Sequence, residues 1–276
     1  MTNDPTIGFL GCGKMATALA GGLVKTGFAG PERVLGSARS AASRDAFAAG
    51  TGEAKTFDAT DGGNAQLAAA SDVLVLSVKP YQLREMLRAT ANDRKPEALI
   101  VSVAAGVTLE TLEAAAGKGA RVVRVMPNTP SLVGAGAAGF TRGTHATAED
   151  AAFVRSMLEC VGVAEEVSEP LLNAVTAVSG SGPAYGFLFL EALADAGVKA
   201  GLPRDTAQRL AAATLRGAAA MVEETGEHPA VLKDRVCSPG GTTIAAVAAL
   251  EEHGLRRAVH AAVAAAAARS KEMANE

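Results

Sequence analysis

Apolar positions follow two regimes along this chain. In the first part they gather into short runs: Ile7 to Leu10, Arg33 to Ser37, Asp72 to Val78, Ala98 to Val103 and Arg121 to Val125. Runs of this length without steady polar alternation predict strands of a parallel sheet, covered on both faces. Between them, apolar residues recur with helical spacing, clearest from Met15 to Val24, after Thr108 and from Ala148 to Cys160. Lys79-Pro80 ends the strand of Asp72 to Val78, because proline cannot continue a central ladder. Strands alternating with helices predict a doubly wound α/β sheet, with Ala164 to Val167 as a last strand. Beyond Glu169 the spacing is almost wholly helical. Pro170 suits a helix start, Ser179 to Pro183 reads as a break, and helices are expected over 184–200, 203–225, up to Leu250 and over 255–273. The expected organisation is an α/β domain over residues 1–168 followed by an all-α domain over 169–276.

Composition narrows the class. The 276 residues are 49% apolar, enough for a sizeable core, and the net charge is only −3. Neither nucleic acid nor an acidic membrane surface is favoured as a partner by that balance. Cys12, Cys160 and Cys237 are odd in number and widely spaced. They suggest no disulfide framework and no metal site, and they fit a reducing cytoplasm. Met1 to Pro5 lacks the basic start of a secretory signal. The Ala-rich run from Ala258 to Ala268 is too short and too weakly apolar to span a bilayer.

The first strand runs into Gly11-Cys-Gly13-Lys-Met-Ala16 and then into a helix. Strand, glycine turn and helix are the setting of the dinucleotide fingerprint of a Rossmann-type domain. Gly11 permits the tight turn, Gly13 removes a Cβ from the path of a pyrophosphate, and Ala16 lets helix and strand pack closely. The helix N-terminus offers free N–H groups to the phosphates. At the end of the second strand an NAD site places a carboxylate for the ribose 2′-hydroxyl. Here the chain reads Ser37-Ala38-Arg39-Ser40, without an acid. A hydroxyl and a guanidinium suit a 2′-phosphate, so NADP is favoured, with NAD as the weaker alternative. Asn64 is either a helix cap or an adenine-side contact. Ser77, Val78, Lys79 and Pro80 should line the cleft, since ligands of open α/β sheets bind beyond the carboxyl ends of strands. Two prolines around Asn128-Thr129 fix an extended loop over the same edge.

In the second half, Ser238-Pro-Gly-Gly-Thr-Thr243 joins glycines to hydroxyl residues at a helix start. Exposed N–H groups with little bulk around them make an anion site. The alternative is that Ser238 or Thr242 merely caps the helix.

With these segments in place, the chain resembles the pyrroline-5-carboxylate reductases of proline biosynthesis. The likeness rests on Gly8 to Ala16, Val78-Lys-Pro80, Val103 to Thr108, Asn128-Thr-Pro130, Ser179 to Tyr185, Ala194 to Lys199 and, most specifically, Leu232 to Ile244. It implies NADPH contacts at Leu10, Gly11, Cys12, Gly13, Lys14 and Met15, at Ser37 and Asn64, at Ser77 to Pro80, and at Val103, Ala104 and Ala105. Ala38 stands where the family often has a second serine, which gives Arg39 more of the 2′-phosphate. The resemblance also implies a substrate carboxylate on Gly241, Thr242 and Thr243 with Val236 and Ser238 nearby. Thr176 matches the threonine that hydrogen-bonds the ring nitrogen. A helical domain that pairs two copies, as a dimer unit of a larger homo-oligomer, is implied as well. Reduction of a cyclic imine needs a hydride on carbon and a proton on nitrogen, and the motifs hold no lysine or histidine placed as a general acid. His145, His228, His253 and His260 all fall outside them.

Two rival readings are distinguishable. A 3-hydroxyacid dehydrogenase would carry lysine in G-x-G-x-x-x-K, whereas Gly180-Ser-Gly182 leads to Gly186; alcohol oxidation wants a base and imine reduction does not. A non-catalytic NADP-binding protein would not need the turn at Gly240 to Thr243.

Overall fold

The structure, a computed structural model, describes residues 4–274. Eight strands form a sheet: β1 (Ile7–Leu10), β2 (Val34–Ala38), β3 (Lys55–Asp58), β4 (Val73–Leu76), β5 (Leu99–Ser102), β6 (Arg121–Met126), β7 (Gly136–Arg142) and β8 (Gly162–Glu166). Their spatial order is β3-β2-β1-β4-β5-β6-β7-β8. The first six are parallel, β7 runs against β6, and β8 follows β7. The order reverses direction between β1 and β4, which opens a crevice at their carboxyl ends.

Six helices cover this sheet: α1 (Lys14–Lys25), α2 (Ala41–Gly50), α3 (Gly63–Ala70), α4 (Pro80–Ala89), α5 (Leu109–Ala116) and α6 (Ala148–Glu159). Alternation along the strands splits the core into two layers. Phe9, Val73 and Val75 pack with Leu19, Leu23, Phe47 and Met157 on one face. Leu10, Leu74 and Leu76 pack with Leu67, Leu83, Leu87 and Leu112 on the other. The doubly wound α/β expectation holds, and two strands it did not include, β3 and β7, are added.

After β8 come α7 (Leu172–Val175), a π turn over Thr176–Gly180, α8 (Gly182–Lys199), α9 (Arg204–Thr225), α10 (Pro229–Val236), α11 (Thr242–Glu252) and α12 (Leu255–Met273). The break expected at Ser179 to Pro183 is instead a wide helical turn, with the Ser181 amide donating to the Thr176 carbonyl at 2.8 Å. Two compact units result. One runs up to residue 181 and includes the segment from 266 onward; the other is 182–265. Within the first unit, buried Ser270 donates to Asn173 Oδ1 at 2.9 Å.

The second unit buries little. Its packed centre is Ala194 on α8 against Ala207 and Ala211 on α9, where small side chains let the helices approach. Phe187, Leu188, Leu210, Met221 and Val259 stay exposed, and no side chain of α11 is buried. A helical layer this apolar outside marks an interaction face.

Candidate active site

The glycine turn after β1 is held from two directions. The Gly11 amide donates to the Ser37 carbonyl at 2.9 Å. Ser77 donates its hydroxyl to the Gly11 carbonyl at 2.7 Å. Gly11 itself has φ +104°, and a Cβ there would lie 3.0 Å from the Ser77 backbone, so only glycine fits. A Cβ on Gly13 would meet nothing within 4 Å. The space beside it is open, and α1 starts at Lys14 with no side chain capping its first amides. Free N–H groups behind an open glycine turn fit a diphosphate. Met15 is half-buried and Lys14 exposed. Leu10 and Cys12 are buried and can face a ligand only through the backbone. Burial pushes the Cys12 thiol up to about 12, against the opposing charge of Arg44, so it stays a thiol at neutral pH.

Gly11, Ser37, Arg39, Asn64, Val78 and Gln82 help line a cavity of about 320 Å³. Ser37 is buried and donates to Asn64 Oδ1 at 2.7 Å. Asn64 is not a cap, because α3 starts one residue earlier behind Gly62. Arg39 is exposed at the mouth. Arg44, on α2, had no distinguishing signal in the sequence. It donates to the Ala38 carbonyl at 2.7 Å and pairs with Asp58 at 3.0 Å, which fixes the loop that carries Arg39. The Asp58 carboxyl is held below its usual range by hydrogen bonds from Thr60, with Arg44 adding to the effect.

Lys79 and Pro80 are exposed where α4 begins. Val103, Ala104 and Ala105 follow β5, and the Val103 amide donates to the Leu76 carbonyl at 3.1 Å. These residues share the carboxyl edge of β4 and β5. The π turn reaches the same edge of β6, since a Cβ on Gly180 would lie 2.6 Å from Met126 Cε. Thr176 opens that turn and donates its hydroxyl to the Leu172 carbonyl at 2.8 Å. Its oxygen keeps lone pairs, so it can act as an acceptor.

In the second unit, Ser238-Pro-Gly-Gly241 forms a tight turn closed by the Gly241 amide on the Ser238 carbonyl at 3.0 Å. Pro239 and Gly240, with φ +67°, suit its two central positions. α11 then starts behind Gly241 with no side-chain cap. Neither Ser238 nor Thr242 satisfies the first amides, which leaves the end open to an anion. Ser238 and Thr242 are exposed, Thr243 half-buried, and Val236 exposed at the end of α10. The structure thus gathers the residues expected to meet the cofactor, and Thr176, on one sheet edge of the first unit, and Val236 to Thr243 around one helix start of the second. Among the described residues, no group of three or more His, Cys, Asp or Glu is placed to hold a metal.

Known proteins align with both units. Residues 6–106 match the family described as NADP oxidoreductase, coenzyme F420-dependent. Residues 169–273 match pyrroline-5-carboxylate reductase dimerisation. The pyrroline-5-carboxylate reductase of Escherichia coli K12 is 43% identical over 260 residues, 93% of each chain. A solved pyrroline-5-carboxylate reductase from Coxiella burnetii superposes with TM-score 0.92 at 38% identity, covering 98% of this chain and 99% of its own. The Plasmodium falciparum pyrroline carboxylate reductase with NADP bound gives TM-score 0.85 at 32% identity, covering 99% of both chains. Identity at this level over almost the whole length, in sequence and in structure alike, places the chain in the pyrroline-5-carboxylate reductase family.

Proposed function

We propose that this protein reduces the cyclic imine of L-1-pyrroline-5-carboxylate to L-proline with NADPH, the last step of proline biosynthesis. The near end-to-end match to reductases, spanning both units, carries this reading. NADPH supplies the hydride. Gly11 to Met15 hold its diphosphate through backbone amides, and Arg39 binds the 2′-phosphate. Asn64 and Ser37 form one hydrogen-bonded wall on the adenosine side. Ser77 to Pro80 and Val103 to Ala105 border the remaining length.

The substrate carboxylate binds the uncapped start of α11 at Gly241 to Thr243, with Ser238 and Val236 beside it. Thr176 accepts a hydrogen bond from the protonated ring nitrogen. Its own proton is already engaged with Leu172, so it favours the iminium, the more electrophilic form. Placement of the imine carbon, rather than proton transfer from a charged side chain, is the main source of rate.

Residues 169–276 act as the substrate and dimerisation domain, with 1–168 as the NADP domain. The exposed apolar face of α8 and α9 pairs two copies into a dimer unit. The three unpaired cysteines support a cytoplasmic location, and the charge balance supports a small-molecule rather than a nucleic-acid partner. Among the described residues, no helix is long and apolar enough to cross a membrane. The test is the loss of NADPH absorbance with pyrroline-5-carboxylate, set against a panel of hydroxyacids with NADP. Turnover of the hydroxyacids alone would sink the proposal.

A further inference from the structure

The Asn128-Thr-Pro130 stretch has no part in the contacts described so far. Asn128 follows β6 by two residues and is 7% exposed. Both ends of its amide are used. Nδ2 donates to the Ser179 carbonyl at 3.0 Å, and Oδ1 accepts from the Ala137 amide at 2.9 Å. The partners fix the orientation of the amide, since one is an acceptor and the other a donor.

Ser179 lies in the π turn that Thr176 opens. In a helix its carbonyl would accept from the amide four residues on, but that residue is Pro183, which has no N–H. A half-buried carbonyl is therefore left over, and leaving such a group unpaired is costly. Asn128 supplies the missing donor and ties the turn to the first residues of β7. Single π turns recur at functional sites, and this one opens at Thr176.

We propose that Asn128 is a positioning residue: by holding the Ser179 carbonyl it fixes the wide turn that aims the Thr176 hydroxyl. The inference rests on the reductase reading for its kinetic consequence, though not for the hold itself.

Asn128→Asp tests it. The carboxylate keeps an acceptor for the Ala137 amide but turns an oxygen toward the Ser179 carbonyl. The expected result is a fall in kcat of about tenfold to a hundredfold, with the KM for NADPH unchanged. In a Thr176→Ala background the same substitution should add little, because both act through one hydroxyl. Amide hydrogen exchange at Ser181, which closes the turn, should speed up by about tenfold whether or not the enzyme turns over.

Unchanged exchange at Ser181 overturns the proposal, and so do fully additive effects when Thr176→Ala alone is impaired. Should Asn128→Asp and Asn128→Ser both fail to fold, the residue serves folding alone and the proposal is likewise overturned. Faster exchange with a fully active Thr176→Ala enzyme would overturn the positioning role as well, since the hydroxyl that Asn128 aims would then have no part in the reaction. A wild-type enzyme inactive on the imine sinks the reductase reading, and the exchange result still decides this one.

Discussion

Ser77 donates its hydroxyl to the carbonyl of Gly11 at 2.7 Å, across two adjacent strand ends. With the Ser77 amide bonded to the Leu10 carbonyl at 3.0 Å, that bond joins the glycine turn proposed to hold the diphosphate to a residue proposed to border the rest of the cofactor. Ser77→Ala removes the brace and leaves a partly buried carbonyl to find water. Steady-state kinetics should show the KM for NADPH raised by about fivefold, which corresponds to about 1 kcal/mol. A KM for NADPH equal to that of the parent would mean the turn holds its shape without Ser77.

Arg39 is exposed at the end of β2, on a loop that Arg44 braces from beneath. Arg39→Ala should weaken NADPH binding by about tenfold while leaving NADH almost unaffected, since only NADPH carries the 2′-phosphate. The difference between the two should shrink as salt is raised, because the pair is solvated. Equal losses for both cofactors would place the 2′-phosphate elsewhere.

Glu169 accepts from the Leu109 amide at 2.6 Å and from buried Arg124 at 2.9 Å with the same oxygen, Oε1. It ties the start of α5 to β6 and to the entry of α7. Glu169→Gln leaves Arg124 without its counter-charge and should destabilise the fold by about 2 kcal/mol. Urea unfolding midpoints at one pH, parent against variant, measure this directly.

Asp72 lies just before β4, bonded to Lys95 and to the Thr6 amide. Burial alone would raise its carboxyl, but the hydrogen bonds from Lys95 and Thr6 and the charge of Lys95 together outweigh it and pull the carboxyl below its usual value. A carboxyl depressed in the folded state stabilises the fold above the unfolded pKa of about 3.9, and that gain is lost as pH falls through the folded value. Asp72→Asn should therefore be the less stable protein near neutral pH and show a shallower decline on acidification. Parallel declines would remove Asp72 from the acid response.

Phe187 and Leu188 stand on α8, 65% and 68% exposed. Phe187→Glu and Leu188→Glu place a charge in the face proposed to pair two copies. Native mass measurement should find these variants shifted toward the single chain, whereas an undisturbed oligomer would locate the interface on other helices.

Periodicity was informative wherever burial is one-sided or complete. The apolar stripe of α1 and the run of β4 both read directly, because each meets a continuous core. β7 did not, for a physical reason. Gly136-Ala-Ala-Gly-Phe-Thr-Arg142 is small-residue sequence with no alternation, since α7 packs close over it; a Cβ on Gly139 would lie 2.7 Å from Val175 Cγ1. β3 is a sheet-edge strand with no buried residue, so it has nothing to alternate against. The glycine turn after β1 was legible because its glycines answer to local geometry. The roles of Arg44 and Asn128 were not, because each depends on backbone carbonyls brought near only by folding: Ala38 in one case, Ser179 in the other. Ser37 looked like a free hydroxyl, and only packing shows that it is spent on Asn64.

The π turn decides more than the aim of one hydroxyl. Because it holds one residue beyond an ordinary turn, deleting either Ala177 or Val178 would let an unbroken α-helix form in place of the wide turn. Ser179 would still stand four residues before Pro183, so its carbonyl would still lack a helical donor, but it would follow Thr176 by two residues instead of three, a spacing at which helical side chains do not face each other. Length in this segment is thus constrained as well as residue type, since a sequence one residue shorter would turn Thr176 to another direction relative to the anchor on the loop after β6.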